Sequence, residues 1–344
     1  MIRQDDQLVF IVGNSRSGTT MMMRILKKHP EIHSLNELHF FEKLWSSADK
    51  TRAIDEDEAV WMASRLLFID RYNVLRKFEF AEFETQAREL VANIDKSPLH
   101  LHDIYHAVLL YRTQEEGKKI ACEKTPQNLF YVGELLEMYP NCRIINMVRD
   151  PRGVLLSQKK KWMRKDSKDS YLKNNAQEVR RLKVNYHPIT ISKLWNSAIS
   201  SIEKFAEHER VLNVKFEDVT NSSETELKRI CDFINVPYTE EMTRVEYNGS
   251  STELNKTNQK VIGIKNTTVQ SWMKGLEQAE IYFCQQITGT NFDKYGYEKV
   301  ATRTNPFAVL YYYVSFPVKL VMALMMNLNR MKNIREAIRR RLFA

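Results

Sequence analysis

Short apolar runs rich in valine and isoleucine occupy residues 8–12, 143–148 and 211–216, with a briefer one at 119–122. Runs of this length, apolar on consecutive positions, suit strands buried on both faces. Between and after them, apolar residues recur every three or four positions and predict helices over 19–28, 127–139, 189–207, 224–234 and 276–288. Pro30, Pro140 and Pro237 close three of those stretches. Strands alternating with helices predict an α/β fold, a doubly wound parallel sheet flanked by helices. Residues 46–95 are polar and acid-rich but carry aliphatic and aromatic side chains at helical intervals, which predicts helices inserted over the sheet. No internal repeat is present, which excludes solenoids and propellers.

The end of the chain breaks this pattern. Residues 307–328 are nearly all apolar, interrupted by Ser315, Pro317, Lys319 and Asn327, and then Arg330, Lys332, Arg335, Arg339, Arg340 and Arg341 follow. On a helix these cations share one face and Met331, Ile334, Ile338 and Leu342 another. Such a helical tail, apolar then basic, predicts association with an anionic membrane surface through 307–344. Pro317 and Lys319 favour an interfacial hairpin or paired amphipathic helices over a straight span. A spanning helix and a core or dimer-interface segment are the other readings.

At 43% hydrophobic and 28% charged residues, the 344-residue chain has globular composition, which excludes disordered, collagen-like and low-complexity classes. The length suits one domain over 1–300 with the segment 301–344 appended. Lysine and arginine number 52 against 43 aspartates and glutamates, and the net charge of +9 suits an anionic ligand, a nucleic acid or a membrane without choosing among them. Residues 159–183 alone hold ten Lys/Arg against three Asp/Glu. Cys122, Cys142, Cys231 and Cys284 lack metal-ligand spacing and suggest neither a zinc site nor a disulfide scaffold. Residues 1–7 are polar, and the apolar run behind them is too short for a signal peptide or anchor. A cytoplasmic protein is therefore expected, peripheral at the cytoplasmic membrane face if its tail binds lipid. The Asn-X-Ser/Thr triplets at Asn221, Asn248, Asn255 and Asn266 carry little weight without a secretory signal.

Candidate chemistry gathers at two strand ends. Phe10-Ile11-Val12-Gly13-Asn14-Ser15-Arg16-Ser17-Gly18-Thr19-Thr20 leaves a strand through small residues and enters a helix, which turns backbone N–H groups and the positive helix end toward an anion. Gly13 and Gly18 permit the turn, Ser17, Thr19 and Thr20 supply hydroxyls, and Arg16 supplies charge. A triphosphatase loop needs Gly-Lys-Ser/Thr, whereas here Gly18 is followed by Thr19. The bland reading is an ordinary capped strand-to-helix turn. In the second segment, Ile144-Ile145-Asn146-Met147-Val148-Arg149-Asp150-Pro151, a buried strand ends in a cation before a helix begun by proline, and Ser157 lies about two turns into that helix. Arg149 and Ser157 suit one phosphate, the guanidinium binding it bidentately. Alternatively Asp150 caps the helix and Arg149 pairs with it at the surface.

Together the two segments resemble sulfotransferases that use 3′-phosphoadenosine 5′-phosphosulfate (PAPS). In that family an Arg/Lys-Ser-Gly-Thr-Thr loop, here Arg16 through Thr20, binds the 5′-phosphosulfate. Its Arg-Asp-Pro-Arg…Ser pattern for the 3′-phosphate is similar to Arg149 through Ser157. Asn36-Glu37-Leu38-His39-Phe40-Phe41-Glu42 resembles the Lys-Glu-X-His-Phe-Phe-Asp segment of glycan sulfotransferases of the heparan sulfate type, with Asn36 in place of lysine. Glu123-Lys124-Thr125-Pro126 is similar to their Glu-Lys-Ser/Thr-Pro, Val214-Lys215-Phe216-Glu217-Asp218 to a Tyr/Phe-Glu-Asp strand end, and Trp272-Met273-Lys274-Gly275-Leu276 to a late loop over the nucleotide. The resemblance spans about residues 7 to 297. It implies a P-loop-like sheet, PAPS as donor co-substrate with no metal, and Glu37 as catalytic base.

Leu35, Leu38, Phe40 and Phe41 surround Glu37 in sequence, so desolvation is expected to raise its pKa toward that of a useful base. His39 either orients the acceptor or assists the proton transfer, or is a hydrogen-bonded structural histidine. Lys124 is a candidate to neutralise charge in the transition state, and Lys274 a weaker one for the 3′-phosphate. The acceptor cleft is expected between the insertions at 46–95 and 159–187, since doubly wound sheets bind ligands at their strand carboxyl ends. The expected reaction moves a sulfonate from PAPS to a hydroxyl, or an amine, of a carbohydrate or glycolipid, with no nucleic acid partner. A P-loop nucleotide kinase or triphosphatase, and a non-catalytic membrane-associated nucleotide-binding protein, are the alternatives.

Overall fold

The computed structural model describes residues 7–72, 76–163, 175–247, 261–264, 266, 269–327 and 334–342. Part of the basic stretch 159–183, the triplets at Asn248 and Asn255, and Arg330, Met331 and Lys332 lie outside the described residues.

Five strands, β1 (Leu8–Gly13), β2 (Ile32–Ser34), β3 (Ile120–Glu123), β4 (Cys142–Val148) and β5 (Val211–Lys215), form one parallel sheet in the order β2-β3-β1-β4-β5. Phe10 stands level with Glu123 on one side and Ile144 on the other. Strand β2 was not anticipated. It has three residues, and its polar His33 and Ser34 hide it from a hydrophobicity pattern; pairing with β3 makes it a strand.

Alternate residues of β1 serve two cores, as the strand's period of two requires. Leu8, Phe10 and Val12 face a cluster built with α2 (Glu56–Tyr72), α3 (Glu84–Ala92) and α4 (Leu101–Glu115). These are the helices expected within 46–95, together with one beyond it. Val9 and Ile11 face the opposite cluster, with Met22, Ile25 and Leu26 of α1 (Thr19–Leu26) and Leu227 and Ile230 of α10 (Ser223–Phe233), which follows the short α9 (Phe216–Asn221). Helices on both faces explain why these strands are apolar at every position. The stretch predicted as helix over 127–139 opens as a 3-10 turn, Pro126–Tyr131, and continues as α5 (Val132–Met138).

A third cluster joins α6 (Pro151–Lys159), α8 (Pro188–Glu203) and α12 (Gln278–Lys294) around Trp195, Trp272 and Phe292, with α7 (Ala176–Asn185) preceding α8. Helix α13 (Pro306–Asn327) lies along α7 and α8, and α14 (Ile334–Leu342) packs on α8. Because all five strands are parallel, the segments following Gly13, Ser34, Glu123, Val148 and Lys215 emerge at one edge of the sheet.

Candidate active site

The loop after β1 turns sharply at Arg16 and Gly18, both with positive φ, at 77° and 95°. At Gly18 a Cβ atom would sit 2.5 Å from Cδ2 of Phe216, so glycine serves both the backbone and the packing. Ser17 is fully buried, and its hydroxyl has no hydrogen-bond partner among the described residues. A buried hydroxyl in a loop that opens a helix is what an anion would satisfy. Thr19 is buried and Thr20 exposed in the first turn of α1.

Arg16 Nε donates to Ser157 Oγ at 2.8 Å across 141 residues. Arg149 is nearly buried, its guanidinium 4.2 Å from the Phe216 ring centroid, and Nη1 donates to the Arg16 carbonyl at 3.2 Å. Trp195 Nε1 fixes the Arg149 carbonyl at 2.9 Å. Asp150 does cap α6, accepting from the Arg152 N–H at 2.8 Å, but its ion-pair partner is Arg152 at 2.7 Å. Arg149 is thus buried against the β1 loop and does not lie at the surface.

The second group of residues lies past β2 and β3. Lys124 is nearly buried, its Nζ hydrogen-bonded to Glu37 Oε1 and 3.5 Å from Thr20 Oγ1. Glu37 Oε2 lies 3.3 Å from His39 Nε2, and His39 Nδ1 faces Glu42 Oε2 at 3.4 Å. Glu42 in turn pairs with Arg341 of α14. A line of alternating charge therefore runs from the anion loop through Lys124, Glu37, His39 and Glu42 to the carboxyl-terminal helix.

This geometry corrects the expectation of a raised Glu37 pKa. Leu35, Leu38, Phe40 and Phe41 are buried, and Phe40 stacks on Tyr105 at 4.4 Å, but the Glu37 side chain is 37% exposed. Burial does press its pKa upward, yet hydrogen bonds and charge from His39 and Lys124 outweigh it and hold the carboxyl at about 2. Burial likewise opposes a charge on His39, but Glu37 and Glu42 overcome it and raise its pKa. The raised pKa favours the protonated ring, which can donate to both carboxylates.

Sequence reasoning assigned no role to Glu123, which is fully buried at the end of β3 with its pKa raised by burial to about 7. It accepts from Leu38 N at 3.2 Å, Asn128 Nδ2 at 2.9 Å and Thr125 Oγ1. Thr125 Oγ1 also receives the His39 N–H at 3.3 Å. Glu123 and Thr125 thus hold the turn that carries Glu37 and His39, and a carboxylate ending an apolar strand was the available signal. Phe216 and Glu217 likewise carry roles that the sequence pattern does not assign. The former underlies Arg149, and Glu217 Oε1 accepts the Asp150 N–H at 3.0 Å.

Lys274 is not brought into this constellation. It is exposed on a short helix, α11 (Trp272–Gly275), and no hydrogen bond or ion pair joins it to a described residue. Its loop does lie on α6, so closely that a Cβ at Gly275 would sit 2.5 Å from Leu156 Cδ1. Among the described residues, His100, His102 and Asp103 could share a metal ion. They open α4, where Asp103 pairs with Lys96 and accepts the His100 N–H.

A parallel α/β sheet with a strand-to-helix anion loop, an arginine and serine beside it, and a lysine–carboxylate pair across from it defines a group-transfer enzyme for a phosphorylated donor. The profile of the Sulfotransferase family matches residues 8–240, and the chain belongs to that family. A Caenorhabditis briggsae protein described as a "putative protein-tyrosine sulfotransferase" is 22% identical over 275 residues, 78% of this chain and 79% of that one. An Aquifex aeolicus protein of undescribed function is 25% identical over 150 residues, 43% of this chain and 16% of its own. The sulfotransferase domain of the Synechococcus PCC 7002 olefin synthase shares the fold, with a TM-score of 0.52 at 20% identity, over 86% of this chain and 97% of that domain.

Proposed function

We propose that this sulfotransferase moves the sulfonate of PAPS to a hydroxyl of a carbohydrate or glycolipid, with Glu37 as general base. The observation that carries this reading is Lys124, nearly buried and bridging Glu37 to Thr20 of the anion loop. The loop of Arg16, Ser17, Gly18, Thr19 and Thr20 would hold the 5′-phosphosulfate, and Arg149 with Ser157 the 3′-phosphate. The acceptor oxygen attacks sulfur as the bond from sulfur to the phosphate oxygen breaks. The acceptor proton passes to Glu37, and the adenosine 3′,5′-bisphosphate leaves.

A carboxylate held at about 2 by His39 and Lys124 is a weak base, and the lysine's share of that lowering is the part a donor can remove. Once a phosphosulfate occupies the loop, Lys124 turns its charge to the donor and Glu37 regains basicity beside the acceptor. Proton acceptance is thereby tied to donor binding. The carbohydrate acceptor is supported by the likeness of residues 36–42 and 123–126 to the glycan enzymes. Incubation with radiolabelled PAPS and pools of glycans, glycolipids, tyrosine peptides and small phenols tests it. Label on a glycan or glycolipid, undiminished by a metal chelator, is expected. Label confined to phenols or peptides would replace the acceptor class. Tight bisphosphate binding with no transfer to any pool would end the catalytic reading.

A further inference from the structure

Helix α13 carries its polarity the wrong way round for a helix lying on a protein in water. Four of its polar groups face the domain, with Tyr311 and Tyr313 left exposed: Tyr312 Oη donates to Glu277 at 3.2 Å, Ser315 Oγ meets His187 Nε2 at 3.2 Å, Lys319 Nζ reaches the Tyr186 carbonyl at 3.4 Å, and Asn327 Nδ2 donates to Asn185 Oδ1 at 2.9 Å. The outer face presents Phe307, Leu310, Val314, Val318, Val321 and Met325, each between 55% and 81% exposed. They succeed one another at three- and four-residue steps and form a stripe about 27 Å long at 1.5 Å per residue. Surface helices of soluble proteins show the reverse arrangement, and a continuous exposed apolar patch marks an interaction site.

Charge identifies the partner. No carboxylate occurs between Lys299 and Arg335, an interval that also contains Arg303, Lys319, Arg330 and Lys332. Beside the stripe, a cleft of about 380 Å³ between α7 and α13 is lined by Ala176, Val179, Arg180, Lys183, Val184 and Lys319, three of them cations and none acidic. A second copy seated on the stripe by two-fold symmetry would set these cations against their own counterparts. A bilayer containing anionic lipid offers an apolar interior to the stripe and phosphate to the cleft.

We propose that α13 docks this enzyme on the surface of an anionic bilayer, the helix lying in the membrane plane. Its four polar attachments, spread from Tyr312 to Asn327, hold one flank on the domain along its length, which a spanning helix would have to give up. The inference stands apart from the choice of acceptor and from the assignment of Glu37.

Flotation of the full chain with vesicles of phosphatidylcholine, alone or mixed with phosphatidylserine, tests it. Wild type should float with the mixed vesicles and only weakly with the neutral ones. Val314→Glu with Val318→Glu should lower that binding at least about tenfold, because each places a charge where the acyl boundary lies. Arg180→Glu with Lys183→Glu should erase the preference for anionic lipid. Both pairs should keep the wild-type melting temperature and bisphosphate affinity. Full chain that floats with neither vesicle, or equally with both, overturns the proposal. So does a dimer in sedimentation that the valine substitutions dissolve, which would give the stripe to a second copy.

Discussion

Replacing Glu37 with glutamine keeps the side chain's size and removes the proton acceptor together with one charge. A positioned general base contributes about 10² to 10⁴ in rate, or about 2.7 to 5.5 kcal/mol at 1.36 kcal/mol per decade. The single-turnover rate should fall by at least the lower factor. Lys124 is nearly buried and loses its closest counter-charge, which in a fully buried pair would cost about 3 to 5 kcal/mol. Because Glu37 is 37% exposed, solvent replaces much of that, and about 1 to 2 kcal/mol of stability should be lost, a few degrees in Tm.

An anion in the loop restores a partner to Lys124, so bisphosphate affinity should hold or tighten while chemistry fails. Calorimetry for the nucleotide, paired with single-turnover transfer, reads both sides. The pH dependence gives a further check. Glu37 has a folded pKa near 2 against an ordinary 4.5, so its stabilising contribution is present above 4.5 and lost as pH falls toward 2. Glu37→Gln should flatten the stability profile over that window. A variant with near-normal single-turnover rates, or with nucleotide affinity falling in step with rate, would refute the reasoning.

Arg149→Met keeps the packing on Phe216 and removes the charge; with Ser157→Ala it should weaken the bisphosphate selectively. The loss for arginine should be about 1.5 to 3 kcal/mol, with adenosine 5′-phosphosulfate much less affected, as titration calorimetry would show. Gly18→Ala should lower stability by about 1 to 3 kcal/mol and impair donor binding, since the backbone is left-handed and the new Cβ meets Phe216; denaturant unfolding measures it. Glu123→Gln sets an amide against groups that donate to the carboxylate, and should loosen the Glu37–His39 turn and cut kcat with little change in nucleotide affinity. Burial raises Glu123 from 4.5 to about 7, so the folded state holds an extra proton and wild-type stability should decline as pH rises through that interval; the variant should lack the decline in urea titrations.

Much of the architecture was legible before the structure because strands buried on both faces must be apolar throughout and the helices between them must show one apolar face. β1, β4 and β5 and the helices after them follow from that rule, and so does the convergence of both anion segments on one sheet edge once the strands are parallel. Arg149 and Ser157 were expected at one phosphate and Arg16 in the loop beside it; Arg16 contacts both, because each sits within a few residues of a strand end or helix start whose geometry is local. β2 escaped notice because three residues have no periodicity, and hydrogen bonds to β3 alone define it.

What tertiary structure alone decided is electrostatic. From neighbours in sequence, Glu37 reads as a carboxyl in an apolar setting. In space the same neighbours turn into the core while His39 donates to the carboxyl and Lys124, 87 residues away, adds a cation, and the pKa moves down instead of up. Arg341 meets Glu42 across 299 residues, a pairing no local pattern encodes. The tail divides the same way: composition marks residues 307–328 as apolar, but only docking on α7 and α8 sets Tyr312, Ser315, Lys319 and Asn327 against the domain and leaves the stripe from Phe307 to Met325 outside. Hydrophobic periodicity is a short-range property that a chain must satisfy locally, whereas a charge answers to whatever the fold brings within a few ångströms of it.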